Sequence, residues 1–180
     1  VAGQETGLIS GIRNSGKTNV VIRNGTVKNF GYGVMLTGGT TFNVVHDLKL
    51  DGHMLAGMEL NDADDGRNGN IIRNNVFTNN GESALSLING TEGTLVKDNK
   101  FFSNGGVGFQ LIEADRNRFE GNEMSGVSFN PNIDSDAGAN LDFSTENEFV
   151  DNTFHDFGDA GLVITASSHR NLVEGNTLVR

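Results

Sequence analysis

The chain has 180 residues, 25 of them glycine, with one proline, no cysteine and a formal charge of −10. A disulfide framework and any thiolate metal site are therefore excluded, and the acidic balance disfavours nonspecific binding to nucleic acid or to an anionic membrane. No apolar run approaches the roughly 18 residues that a membrane span needs, and the length suits a single domain, 1–180.

Residues 1–18 read as a partial N-terminal coil, with Gly7 to Ile12 resembling the end of a preceding turn. The first residue is Val and no amphipathic capping helix is visible, so the chain is expected to be part of a longer protein. From Asn19 onward one phrase returns seven times: apolar, two residues, a corner residue, one residue, apolar. In coil one Ile22, Gly25 and Val27 fill it, and Val34 and Leu36 follow. Coil two has Val45, Leu48 and Leu50, then Met58 and Leu60, then the acidic loop 61–67. Coil three has Ile72, Asn75 and Phe77, then Leu85 and Leu87. Coil four has Val96, Asn99 and Phe101, then Phe109 and Leu111. Coil five has Phe119, Asn122 and Met124, a second acidic loop over 129–136, and an expected inward pair Leu141 and Phe143. Coil six has Phe149, Asn152 and Phe154, then Leu162 and Ile164; Val173, Asn176 and Leu178 begin a seventh.

Corner residues lie 23, 27, 24, 23, 30 and 24 apart, a unit of 23 or 24 with two insertions. A period in that range marks a stacked architecture in which no repeat buries its apolar face alone. Alternation with period two marks strands. Three strands per unit, each parallel to its copy in the next unit, give an all-β parallel β-helix of about seven coils with three parallel sheets. The asparagines then have a structural reason. At a sharp corner the backbone amides leave the sheet ladders, and stacked side-chain amides pair along the rod. Asn43, Asn70, Asn117, Asn147 and Asn171, with Thr94 in coil four, mark another such corner.

Phrases such as Val21-Ile22-Arg23-Asn24-Gly25-Thr26-Val27 and Ile72-Arg73-Asn74-Asn75-Val76-Phe77 resemble the repeat of the pectate-lyase-like superfamily. The resemblance is nearest to its carbohydrate-binding and sugar-hydrolase group, which also contains periplasmic copper-related proteins. It covers Asn19 to Arg180. It implies a right-handed coil, and a ligand laid across the face built by the third strand of each coil. It does not select an activity, because lyases, hydrolases, epimerases, tailspikes and non-catalytic proteins share the fold.

Both acidic loops border that face. Its outward residues are expected to run Met35, Glu59, Ser86, Gln110, Asp142, Val163, with a second row Thr37, Asn61, Ile88, Ile112, Ser144, Thr165. Glu59 and Asp142 are the carboxylates aimed from the sheet. Three coils separate them by roughly 14 Å, beyond the roughly 5–9.5 Å between catalytic carboxyls of most glycosidases. Local pairs suit the chemistry better: Asp142 with Asp136, Asp134 or Asp159, and Glu59 with Asp62, Asp64 or Asp65. Close carboxylates raise one pKa or share a cation, so Asp62, Asp64 and Asp65 form a candidate Ca²⁺ loop. If the chain is an enzyme, a lyase or glycoside hydrolase is expected, with Asp142, Asp136 and Glu59 as catalytic candidates. Asn61, Ser86, Gln110, Thr165 and Tyr32 are the expected substrate contacts. Neither outward row contains Lys or Arg, which disfavours a uronan-degrading site.

His46, His53, His155 and His169 fall on different coils and are read as surface residues, with His53 the one placed to face Glu59. Met58 and Met124 are read as core. Arg23, His46, Arg73 and Lys97 form a basic outward stripe on the first-strand face, a place for lateral self-association; the ends offer an end-to-end contact. Two functions follow. One is a secreted or periplasmic domain that binds or processes a polysaccharide or other glycan. The other is a non-catalytic rod, a spacer or tailspike-like segment with no small ligand.

Overall fold

The computed structural model describes residues 9–63, 69–126 and 137–180, which form nineteen parallel β-strands and no helix. One seven-stranded sheet collects the third strand of every coil: β1 (Ser10–Ser15), β3 (Tyr32–Thr37), β5 (Ala56–Asn61), β8 (Ser83–Ile88), β11 (Val107–Ile112), β14 (Ala137–Asp142) and β17 (Ala160–Thr165).

The other two faces depend on what stands at the first corner. Where it is asparagine, the chain makes two three-residue strands, as in β6 (Ile71–Arg73) and β7 (Val76–Thr78). With Gly25 or Leu48 there, it runs on as one eight-residue strand, β2 (Val21–Lys28) or β4 (Val44–Asp51). Because β4 pairs with both β6 and β7, it joins two faces into a single 12-stranded sheet. The expected three sheets are thus three faces but two hydrogen-bonded sheets. The turns number about six rather than seven, with β1 at one end and β18 (Leu172–Glu174) with β19 (Thr177–Val179) at the other as part turns.

The asparagine ladder is continuous from Asn75 through Asn99, Asn122 and Asn152 to Asn176. Each Nδ2 donates to the Oδ1 of the next rung at 2.9–3.1 Å. That same Oδ1 also accepts the backbone N–H of the preceding asparagine. The remaining Nδ2 proton goes back to a carbonyl, as from Asn99 to Ile72 O at 2.8 Å. Buried polar groups are thereby satisfied at a place where the sheet cannot pair them. The second ladder runs from Asn43 to Asn70 and from Asn117 through Asn147 to Asn171. It breaks at Thr94, whose hydroxyl is buried and has no partner.

A third ladder was not anticipated: His53, Asn80 and Asn104. Asn80 donates to Asn104 Oδ1 at 2.8 Å, and the backbone N–H of His53 donates to Asn80 Oδ1 at 3.1 Å. His53 plays the asparagine part with its ring. Nδ1 accepts the N–H of Phe30 at 3.2 Å, so Nε2 carries the proton and donates to Val27 O at 3.1 Å. The side chain is 1% exposed, and burial holds its pKa below the ordinary imidazole value. His53 is therefore a scaffold residue, neither on the surface nor facing Glu59. His46 is also buried rather than superficial, with Nδ1 2.6 Å from Asp47. Met58 and Met124 lie in the core as expected.

Inside, phenylalanines stack from rung to rung, Phe77 on Phe101 at 4.6 Å and Phe119 on Phe149 at 4.7 Å. A column of small residues enters the third strand: Gly11, Gly33, Gly57, Ala84, Gly108, Gly138 and Gly161. A Cβ on Gly138 would stand 2.4 Å from Gly161 O and 2.6 Å from the Phe154 ring. This column sets the register of coil five. Ala139 and Leu141 point inward, both 0% exposed, whereas Phe143, expected inward, is 57% exposed.

Candidate functional site

Strand pairing defines two outward rows on the seven-stranded sheet. The first reads Arg13, Met35, Glu59, Ser86, Gln110, Asn140, Val163; the second Ser15, Thr37, Asn61, Ile88, Ile112, Asp142, Thr165. Two expectations change. Asp142 shares the row of Asn61 and Thr165 rather than that of Glu59, and Asn140 takes its place. Ser144, expected outward, is fully buried. The face also carries a cation, because β1 completes the sheet and places Arg13 beside Met35.

Glu59 is 8% exposed. Asn61 Nδ2 lies 3.4 Å from its Oε1, and Tyr32 shares a side-chain hydrogen bond with it. Burial raises the Glu59 pKa, and the field of Glu82 adds to it; the bonds from Asn61 and Tyr32 oppose without prevailing. Tyr32 is pushed up as well, by burial first and then by the neighbouring Glu59 charge. A carboxyl with a raised pKa keeps its proton to higher pH than an ordinary one, and in that form it can donate a hydrogen bond or a proton to an oxygen laid on the sheet. Its nearest companions are therefore a phenol and an amide. Asp62, the described member of the expected carboxylate set, is exposed in a left-handed turn with φ 51°. Asp64 and Asp65 lie outside the described residues, as does the rest of that loop to residue 68.

At the other end of the face Asn140 Nδ2 donates to Asp142 Oδ2 at 3.1 Å, and the Thr165 hydroxyl donates to Asp142 Oδ1. Both Asp142 oxygens are thus oriented by neighbours in their own sheet. Asp136 and Asp134, expected partners of Asp142, fall outside the described residues; Asp159 is exposed. Between the two ends, Gln110 is part-exposed while Ser86 is 4% exposed and so offers only a sliver of its surface. A shallow depression of about 360 Å³ opens near the first end, lined by Arg13, Met35, Thr37, Gly38, Asn61 and Asp62.

The seven-stranded face with its outward polar rows is thus carried by amide ladders that repeat every 23–30 residues. The sequence pattern of the family described as periplasmic copper-binding protein (NosD) matches residues 2–180. The chain belongs to this family. Among solved structures, the periplasmic alginate epimerase AlgG superposes with a TM-score of 0.74 at 14% identity, covering 95% of this chain and 48% of the epimerase. Tailspike protein 2 from an Escherichia coli O157:H7 bacteriophage gives a TM-score of 0.53 at 11% identity, over 92% of this chain and 28% of the tailspike. This NosD-family chain thus spans less than half the length of either. At these identities the likeness shows the fold, the right-handed parallel β-helix that the repeat resembles. No curated protein matches the sequence significantly.

Sequence reasoning missed Arg13, Asn140 and the outward placement of Phe143. The glycine column holds the signal for all three. Ser10-Gly11-Ile12-Arg13 and Ala137-Gly138-Ala139-Asn140 both align with Tyr32-Gly33-Val34-Met35 once the small residue is used as the anchor.

Proposed function

We propose that this domain binds a polysaccharide along the face of the seven-stranded sheet. The observation that carries the reading is the outward polar row itself. Glu59, Ser86, Gln110 and Asn140 occupy successive rungs, Gln110 and Asn140 part-exposed and Glu59 and Ser86 with little surface, and the exposed Arg13 stands two rungs beyond Glu59. A row of donors and acceptors repeating at about 4.8 Å suits a linear polymer better than a compact metabolite. Asn61, Asp142, Thr165 and Tyr32 supply the flanking hydrogen bonds. Arg13 lets the ligand carry an anionic group at that end. Glycan-acting relatives of the fold support the class of ligand: one fold neighbour is an alginate epimerase. The family's periplasmic description supports a periplasmic or secreted location.

The family description also names copper, and among the described residues no cluster of side chains suits it. Met58 and Met124 are 0% exposed in the core, and both His53 nitrogens are engaged in the ladder. No three His, Asp or Glu side chains converge among the described residues. Ca²⁺ at Asp62 would need Asp64 and Asp65, so it enters only as an arm of the test. Binding rather than cleavage is proposed, since Glu59 and Asp142 stand three rungs apart and the carboxylate whose field reaches Glu59, Glu82, acts less on it than burial does.

The test is affinity electrophoresis against a polysaccharide panel that includes a neutral glucan, hydroxyethyl cellulose, and a polyuronate, alginate, each with Ca²⁺ and with EDTA. Retardation by at least one polymer, lost in the Glu59→Gln, Asp142→Asn double variant, is the expected result. A blank panel would overturn the reading and favour the rod that carries no ligand.

A further inference from the structure

Alongside Phe42, Phe143 is one of two exposed phenylalanines with a left-handed backbone among the described residues. It follows Asp142 at the exit of β14, a position whose backbone is left-handed in coil after coil: Gly38 at φ 67°, Asp62 at 51°, Asn89 at 52°, Glu113 at 53°, Phe143 at 50° and Ala166 at 40°. Glycine, asparagine and aspartate tolerate that conformation; a bulky aromatic does not adopt it without strain. The strain is not repaid by burial, because the ring is 57% exposed. Phe42 shares both properties, with φ 57° and 49% exposure, but it stands before β4 and away from the seven-stranded sheet. What sets Phe143 apart is its place beside the outward rows of that sheet, and strained residues of this kind cluster where a ligand is held.

Its surroundings supply what a ligand would need. Ile88 and Ile112 are outward, part-exposed and on successive rungs of one row, and the next member of that row is Asp142, immediately before Phe143. Beside this apolar run lies the polar row of Ser86, Gln110 and Asn140. The Asp142 carboxylate is already oriented by Asn140 and Thr165. An apolar strip flanked by aligned hydrogen-bonding groups matches a pyranose ring, which has one apolar C–H face and a rim of hydroxyls.

Building on the polysaccharide reading, we infer that coils three to five hold a sugar-ring subsite. The apolar face of a pyranose packs on Ile88, Ile112 and Phe143 while its hydroxyls bond to Gln110, Asn140 and Asp142. This is a separate part of the face from the depression at Arg13, and it takes a neutral ring surface rather than a charge.

The decisive variant is Phe143→Asn, which places at this position a residue suited to its backbone. The subsite requires two opposite effects. The melting temperature rises by about 2–4 °C as strain is relieved, and affinity for the polymer that retards the wild type, hydroxyethyl cellulose or alginate, falls on the order of tenfold. Ile112→Thr, a β-branched exchange at a part-exposed strand position, lowers the same affinity with little change in melting temperature. A drop in melting temperature for Phe143→Asn would make the ring a packing residue and overturn the subsite. Unchanged affinity in Phe143→Asn would also overturn it, while leaving the polysaccharide reading intact. Absence of wild-type binding to both polymers would defeat the reading and the subsite together.

Discussion

Replacing Thr94 by asparagine should stabilise the protein, and the size of the gain follows from the ladder on either side. Thr94 stands between Asn70 and Asn117 in the second polar column; its backbone N–H already donates to Asn117 Oδ1 at 2.9 Å. Its own hydroxyl, buried without a partner, costs about 1–3 kcal/mol. Asn70 meanwhile sends its Nδ2 protons sideways, to Thr40 O at 2.8 Å and to Ala63 O at a long 3.4 Å. An asparagine at 94 would present Oδ1 to Asn70 and Nδ2 to Asn117 Oδ1, as every intact rung does. Two added hydrogen bonds contribute about 0.5–1.5 kcal/mol each. The extra heavy atom and the fixing of its rotamers subtract from this, because the backbone is tight here: a Cβ on Gly69 would stand 2.5 Å from Thr94 N. The net expectation is about 2 kcal/mol, or roughly 4–8 °C in melting temperature for a chain of this size. Urea denaturation of Thr94→Asn, Thr94→Val and wild type decides it. Valine removes the orphan hydroxyl without building the ladder, so it should recover only part of the gain. If Thr94→Asn proves no more stable than Thr94→Val, amide stacking is not what holds this corner.

Three further outcomes are expected. Asn99→Ala removes the acceptor of the Asn75 backbone and side-chain N–H groups and the donor to Ile72 O, inside a fully buried rung. It should cost on the order of 3–5 kcal/mol, read from the urea midpoint at unchanged m-value. His53 has a folded pKa depressed below its ordinary value of 6.5, so its contribution is complete above about pH 6.5 and is lost as pH falls toward the folded pKa. His53→Asn keeps the ladder pattern without a titrating group, and melting curves at several pH values should show its acid sensitivity reduced relative to wild type. Glu59 is shifted the other way: its carboxyl contributes fully below the ordinary value of 4.5, and that contribution is lost as pH rises through the raised folded pKa. Glu59→Gln should therefore be more stable than wild type at pH 7 and equal to it at pH 4, by thermal melts at both.

Much of the architecture was legible because the same constraint is written many times. Seven copies of one phrase give the period, and the asparagine columns name the corners before any coordinate is seen. Legibility failed where a position is written once or in another alphabet. Coil five carries the long insertion, so only its hydrophobic pattern marks the third strand. Leu141-Asp142-Phe143 imitates the inward-outward-inward rhythm, so the pattern alone assigns Phe143 to the core. Ala139 is too small to advertise its inward role, and Gly138, which does fix the register, matters for the space it leaves empty. Arg13 escaped because a part coil has no complete phrase to align. His53 escaped because its two ring nitrogens reproduce the geometry of an amide while its letter suggests a titrating surface residue. Faces follow from periodicity; side-chain partners across coils, such as Thr165 with Asp142 and Tyr32 with Glu59, need the register first.

The ladders also make the rod divisible. Asn75 and Asn99 occupy equivalent corners 24 residues apart, and Lys100 sits in register with Val76. Excising residues 76–99 would therefore join two corners that already match, leaving Asn75 above Asn122 and His53 above Asn104. The same excision removes Thr94, so that Asn70 would meet Asn117 and the one interrupted amide column would close. A shorter molecule with better-paired interior amides is reachable by deletion alone, which means that the length of this rod was never set by the demands of its core.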